Sequence, residues 1–82
     1  MFIKIHNYPT TLDQKKEDYD IVLNTKYIVY IKSINDISTA GDIRKYLHPK
    51  IQENGFVISA VDKNYYVTLV EGLELINKLI NQ

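Results

Sequence analysis

The sequence of 82 residues contains no cysteine and no tryptophan, and it has only two histidines and three glycines. Without cysteine there can be no disulfide framework, no thiolate zinc site and no thiol nucleophile. The glycines stand far apart, so no glycine-rich loop is available to cradle a phosphate. His6 and His48 alone offer little for any other metal site. The sequence therefore predicts no catalytic centre, no metal site and no cofactor.

An excess of charge of one sign is also absent, because ten basic residues balance ten acidic ones. This balance argues against a general nucleic-acid binder, although a local basic patch leaves DNA binding open. No apolar run approaches the roughly 18 residues that a membrane-spanning helix needs. The apolar start, Phe2 to Ile5, is too short for the core of a secretion signal and contains Lys4. We therefore expect no membrane contact and a cytoplasmic location.

The apolar residues that are present favour a sheet, because isoleucine and tyrosine dominate them. The length corresponds to one domain over residues 1–82. Alternating apolar and polar side chains predict a half-buried strand from Met1 to Tyr8. Residues 27–31 are apolar on both faces, which predicts a central strand. Asn24–Lys26 before it is interpreted as a hairpin turn or a bulge.

The C-terminal third has the clearest pattern of the sequence. Residues 56–61 and 65–69 predict an antiparallel hairpin with a turn at Asp62–Asn64. Thr68 and Glu71 fit the start of a helix. The apolar stripe of that helix comprises Leu73, Ile76, Leu79 and Ile80.

A short helical insert is predicted between the strands, at Thr39–Asn54, with Ser38 or Thr39 as its cap and Pro49 as an interruption. Together these segments predict an α+β fold. Its small, mainly antiparallel sheet would have four or five strands, with the C-terminal helix packed across it. The edges of so small a sheet need covering, so we expect self-association.

The basic side chains cluster in only one stretch, which falls in the predicted insert and surrounds Tyr46. The cluster comprises Arg44, Lys45, His48 and Lys50. Basic residues with an aromatic among them can contact nucleic-acid phosphates. They can equally contact an acidic protein surface or remain solvated, and the sequence leaves these alternatives open.

Seven tyrosines are the other unusual feature. Those in predicted strands are Tyr27, Tyr30, Tyr65 and Tyr66. Neighbouring strand residues alternate between faces, so part of this set must lie outside the core. Exposed tyrosines are enriched in protein interfaces, but they also pack across strands on a solvated sheet face. Both interpretations remain open at this point.

The remaining titratable residues show no catalytic pattern. His6 is predicted to be an exposed strand residue, and His48 to complement the end of a short helix. Asp18 and Asp20 are interpreted as solvated loop residues. Glu71 and Glu74 share a helix face, but acidic residues are favoured in the first turns of any helix.

Part of the sequence resembles the repeating core of LytTR-type DNA-binding domains and the small FlbD-like flagellar-operon proteins. The resemblance lies in Leu23–Lys32, Phe56–Ser59, Tyr65–Val67 and Leu73–Ile76. It implies a small β-rich sheet closed by one helix. The segment from Ser33 to Gly55 has no counterpart in either pattern. The basic DNA-contacting strands and loops that follow the helix in the LytTR domain are missing from this sequence.

The sequence thus predicts a non-enzymatic protein-interaction module, such as a small inhibitor or adaptor from a phage or mobile element. Its contact surface would be the tyrosine-bearing sheet or the basic insert, and its partner a protein. The alternative is a small DNA-binding transcriptional regulator that uses Arg44, Lys45, His48 and Lys50.

Overall fold

The computed structural model describes residues 1–11, 17–36, 44–52 and 54–81. The strands in these residues are β1 (Phe2–Asn7), β2 (Tyr19–Asn24), β3 (Ile28–Ser33), β4 (Gly55–Ala60) and β5 (Asn64–Thr68). The helix α1 (Leu69–Ile80) follows β5 directly. Short 3-10 turns occupy Thr25–Tyr27, Ile34–Asp36 and Arg44–Tyr46. Within the described ranges, no helix is both long and apolar enough to cross a membrane.

The strands form two antiparallel sheets, one of β1 and β2 and the other in the order β3-β4-β5. This arrangement, with α1 packed on β4 and β5, confirms the predicted α+β fold. The prediction of a central strand at residues 27–31 is wrong, because β3 is an edge strand and β4 is central. β3 is apolar on both of its faces, yet the side chains of Val29 and Tyr30 are exposed. Apolar residues on both faces of a strand therefore did not indicate burial on both faces.

The link between β2 and β3 is neither the hairpin turn nor the bulge that the sequence suggested. It is a 3-10 turn at Thr25–Tyr27, which carries the chain from the two-stranded sheet to the three-stranded one. The Asn24 side chain caps this turn by accepting a hydrogen bond from the Lys26 amide at 3.1 Å. A short polar side chain that binds the backbone two residues later is a typical cause of such turns.

The first core lies between the inner faces of the two sheets and α1. Its buried residues are Ile3, Ile5, Leu23, Phe56, Ile58, Ala60, Tyr65, Val67 and Leu75. The helix comes close to β4 because Gly72 faces Phe56. A β-carbon at Gly72 would lie 2.7 Å from Phe56 Cγ and 2.9 Å from its Cβ, closer than ordinary packing allows. Gly72 is therefore required by the packing of α1 on the sheet.

The second core covers the opposite face of the three-stranded sheet. It contains Tyr8, Ile34, Leu47, Ile51 and Val57, with Tyr66 packed against it. Leu47 and Ile51 come from the predicted insert, so this segment covers the sheet face around Val57. Its first described part is the 3-10 turn Arg44–Tyr46. The predicted caps Ser38 and Thr39, and the rest of 37–43 with Glu53, lie outside the described residues.

The predicted hairpin and helix start are confirmed. β4 and β5 pair in antiparallel register, and the Ala60 amide donates to the Lys63 carbonyl at 3.0 Å across the turn. Thr68 is the N-cap of α1, where its hydroxyl accepts from the Glu71 amide at 3.4 Å. The Glu71 carboxylate turns instead to β1, where it accepts from the His6 amide at 2.6 Å. This contact fixes the helix start against the two-stranded sheet.

The predicted apolar stripe of α1 is wrong in part. Ile76 and Leu79 pack on the first core, but Leu73 and Ile80 are exposed. The buried Leu75 was not in the predicted set.

The two sheets meet where β1 ends beside β5. The Tyr8 amide donates to the Tyr66 carbonyl at 2.8 Å, and the Tyr66 amide donates to Asn7 Oδ1 at 2.8 Å. Asn7 is only 1% exposed, and it is the one buried polar residue in the described part of the chain. Its side chain therefore supplies the acceptor that a ladder partner would otherwise provide.

Candidate functional site

Two of the four candidate tyrosines share one face of the three-stranded sheet. Tyr30 pairs with Ser59 across β3 and β4, and Tyr66 pairs with Val57 across β4 and β5. Ser59 and Val57 are two positions apart, so all four side chains point to the same side. Tyr30 is 42% exposed, and burial raises the pKa of the half-buried Tyr66 hydroxyl.

The other two candidate tyrosines lie elsewhere. Tyr27 is in the 3-10 turn rather than in a strand, and its exposed ring lines a groove beside β2. Tyr65 is 2% exposed in the first core, so its ring is not available to a partner. The Tyr65 hydroxyl donates to Asp62 Oδ2 at 3.0 Å, and burial raises the pKa of this hydroxyl. The alternation of strand residues thus predicted that Tyr65 and Tyr66 lie on opposite faces of the sheet, but it could not show which of the two is buried.

Arg44 of the basic cluster has a structural role. Its guanidinium donates to the Gln52 carbonyl and to Asn35 Oδ1, both at 3.0 Å. These bonds fasten the described end of the insert to the segment that follows β3. With its donors directed at the protein itself, Arg44 contributes less to an exposed surface than the sequence suggested.

The other basic residues of the insert lie against tyrosine rings. The Lys45 ammonium is 5.0 Å from the centroid of Tyr46, and the Lys50 ammonium is 5.6 Å from that of Tyr8. The His48 ring lies on the same Tyr8 ring, with 4.9 Å between centroids. Lysines at such distances are attracted by the negative face of the ring.

A third lysine is held in the same way on the neighbouring sheet face. The Lys32 ammonium is 4.8 Å from the centroid of Tyr30. The insert packs on this face of the sheet around Val57, so the elements that carry these lysines and tyrosines are neighbours. We group their exposed and half-buried side chains as the lysine–tyrosine surface: Tyr30, Lys32, Lys45, Tyr46, His48, Lys50 and Tyr66. None of its lysines has a carboxylate within salt-bridge distance among the described residues.

An unpredicted cluster forms on the outer face of the two-stranded sheet. His6 Nδ1 is 2.6 Å from Asp20 Oδ1, and His6 Nε2 is 2.6 Å from Asp18 Oδ2. Hydrogen bonds that the His6 ring donates to Asp20 and, next in effect, to Asp18 raise the pKa of His6, and the same bonds lower the pKa of both carboxyls. His6 is a strand residue, as predicted, and Asp18 and Asp20 are exposed, but Asp20 belongs to β2 rather than to a loop and both carboxylates are bound to His6 instead of being simply solvated. The missed signal was the register that sets His6 opposite Asp20.

The two carboxylates occupy both nitrogens of the His6 ring. They favour the doubly protonated ring, in which neither nitrogen carries a lone pair that could accept a proton from a substrate. Across the described ranges, no group of three or more His, Cys, Asp or Glu side chains has an arrangement that could hold a metal ion. What the cluster does is join β1 to the segment that leads into β2.

Comparison with known protein families, with curated proteins and with solved structures found no match. The resemblance to LytTR-type and FlbD-like proteins therefore stays a prediction from the sequence.

Proposed function

We propose that this protein is a non-enzymatic interaction module that binds an acidic protein surface through the lysine–tyrosine surface. The observation that carries the proposal is the set of three lysines, each lying over a tyrosine ring and each without an ionic partner among the described residues. Such lysines are held in place but keep their charge available. Their ring contacts reduce the side-chain entropy that binding would otherwise remove.

The composition of the surface supports a protein partner. Tyrosine buries a large area at little entropic cost, and its hydroxyl can remain hydrogen-bonded at an interface. Tyr30 and Tyr66 flank Ser59, so the sheet face combines apolar rings with small polar groups. The lysines around them would meet carboxylates of the partner and increase the association rate. An inhibitor or adaptor that acts in the cytoplasm, as the sequence predicts, would fit this chemistry.

The test begins with a photo-reactive amino acid placed at Tyr30 in the full chain, expressed in the producing cells. The control carries the same group at Val70, an exposed residue of α1. A protein that cross-links at position 30 and not at position 70 is then purified. Its affinity is measured by calorimetry for the unmodified chain and for Lys32→Glu, Lys45→Glu and Lys50→Glu.

We expect each charge reversal to weaken binding about 10-fold or more, because it sets like charges against each other in the interface. Lys78→Glu on α1 is the matched control and should bind as the unmodified chain does. Binding that all three reversals leave unchanged would contradict the proposal. So would a preference for duplex DNA in a gel shift that weakens steeply with salt, which would favour a transcriptional regulator.

A further inference from the structure

Among the described residues, only β1 pairs with β2, so the second edge of β2 has no strand beside it there. Three hydrogen bonds show which backbone groups point to this free edge. The Thr25 amide donates to the Met1 carbonyl at 2.9 Å, so the odd-numbered residues of β2 bond to β1. On the opposite strand, the even-numbered amides of His6 and Tyr8 point away from β2 and bond elsewhere. By the alternation of an antiparallel ladder, the N–H and C=O groups of Asp20, Val22 and Asn24 point outward. They have no backbone partner among the described residues.

An apolar groove of about 440 Å³ runs beside this edge. Four of its lining side chains are large, apolar and mostly exposed: Phe2 at 70%, Val22 at 64%, Tyr27 at 53% and Val61 at 70%. Isolated exposed apolar residues are ordinary, but several that converge on one groove mark a contact site. Next to an unpaired strand edge, such a groove is suited to receive another strand.

The edge is complementary to itself. In an antiparallel pair of two β2 strands centred on Val22, Val22 meets its own copy, and Asp20 meets Asn24. Asp20, Val22 and Asn24 are the residues whose backbone groups point outward. In this register, each outward N–H of one copy therefore faces an outward carbonyl of the other. A twofold axis between two copies requires this kind of matching.

The charges at the two ends of the edge match in the same register. Exposed Glu17 and Asp18 precede the N-terminal end of β2, and exposed Lys26 follows its C-terminal end in the 3-10 turn. Antiparallel pairing centred on Val22 brings the acidic end of one copy beside the Lys26 end of the other. His6 offsets part of the Asp18 charge, whereas Glu17 has no ion pair within the described residues.

We propose that a second copy of this chain pairs with β2 along its free edge, in antiparallel register centred on Val22. The two-stranded sheets of both copies then form one continuous four-stranded antiparallel sheet. The pairing covers the grooves of both copies and removes both β2 edges from solvent. It uses none of the residues of the lysine–tyrosine surface, so this inference and the proposed function can fail separately.

The oligomeric state of the full chain tests the pairing. Light scattering during size-exclusion chromatography, over a series of protein concentrations, should give the mass of a dimer. Val22→Glu sets two like charges against each other at the axis and should halve that mass to a monomer. Val70→Glu, at a residue with similar exposure on α1, is the control and should leave the dimer intact. Circular dichroism of both variants shows whether the fold is retained.

A second experiment tests the register. Val22→Lys should also be monomeric, and an equimolar mixture of Val22→Glu and Val22→Lys copies should recover the dimer mass through a charge pair at the axis. Unmodified chain that stays monomeric throughout the series would overturn the proposal. A dimer that persists in folded Val22→Glu would show that another surface is used, and a mixture that stays monomeric would exclude the register centred on Val22.

Discussion

At the scale of single residues, His6 combines three hydrogen bonds and one ring contact with different parts of the fold. Its ring nitrogens are bound by Asp20 and Asp18, its backbone amide by Glu71, and its ring lies edge-on to Tyr8 at 4.9 Å. The residue thereby joins β1, the approach to β2 and the start of α1. A ring with a carboxylate on each nitrogen is stabilised in its charged form.

The stability of the protein should therefore depend on the protonation of His6. The pKa of His6 is raised above its ordinary 6.5, so its contribution is fully present below that value and is lost as pH rises through the raised pKa. The pKa of Asp18 and Asp20 is lowered from 3.8, so their contribution is present above that value and is lost as pH falls through the lowered pKa. The cluster stabilises the fold most between these limits.

The check is the urea midpoint of unfolding at about pH 5.5 and about pH 8.5. We expect the urea midpoint to be lower at the higher pH than at the lower pH. His6→Gln should reduce this decrease, because the glutamine side chain has no proton to lose. His48→Gln is the control, since no described carboxylate forms an ion pair with His48, and this variant should show the same decrease as the unmodified chain. An unchanged fall in His6→Gln would show that the cluster does not couple to folding.

At the scale of elements, the hairpin and α1 were the parts most accessible from sequence. Both are governed by local rules: a short turn between alternating segments, and a cap followed by an apolar stripe. The insert was less accessible, because Leu47 and Ile51 owe their burial to Val57 and Tyr8, which are distant in the sequence. The structural role of Arg44 was missed for the same reason. Its acceptors, the Gln52 carbonyl and Asn35 Oδ1, come close to the guanidinium only when the chain folds back on itself.

Arg44 predicts a local effect of substitution. Arg44→Met removes the bonds to the Gln52 carbonyl and Asn35 Oδ1 but retains an apolar stem. We expect the free energy of local opening of the insert to fall by about 1–3 kcal/mol, because hydrogen bonds from a charged donor are lost. Hydrogen exchange of the Ile51 amide, which donates within the insert at 2.8 Å, measures this directly.

Lys45→Met is the matched control for this change. Lys45 is exposed, and among the described residues its side chain lies over the Tyr46 ring without a hydrogen bond or ion pair, so its loss should leave exchange of the Ile51 amide nearly unchanged. Exchange at the β4–β5 hairpin should be unaffected in both variants. Equal exchange rates in Arg44→Met and Lys45→Met would contradict an anchoring role for Arg44.

At the scale of the whole molecule, the fold depends on how the two sheets are joined. The apolar pattern predicted four or five strands in one sheet, and the described residues contain five, but the pattern could not show that they divide into two sheets. That division is set by the 3-10 turn at Thr25–Tyr27 and by the contacts of Asn7 and Tyr8 with Tyr66. Neither feature has a periodic signal, because each depends on single hydrogen bonds between residues far apart in the chain.

Asn7 allows the importance of this junction to be measured. Asn7→Ala leaves the Tyr66 amide without its acceptor in a buried position, and an unsatisfied buried donor costs about 1–3 kcal/mol. We expect the free energy of unfolding to fall by at least that amount in chemical denaturation. Asn77→Ala, on the exposed side of α1, is the control and should change it by less than about 0.5 kcal/mol. A similarly small effect of Asn7→Ala would show that the sheets are held by their apolar faces alone.

The Asn7–Tyr66 junction also determines the order in which a nascent chain can complete its structure. The two residues are 59 positions apart, whereas β4 and β5 are joined by a tight turn and can pair as soon as both are synthesised. β1 and β2 leave the ribosome before β4, β5 and α1, so the apolar face of their sheet stays uncovered until those elements follow. During that interval a chaperone that shields this face would protect the polypeptide from aggregation.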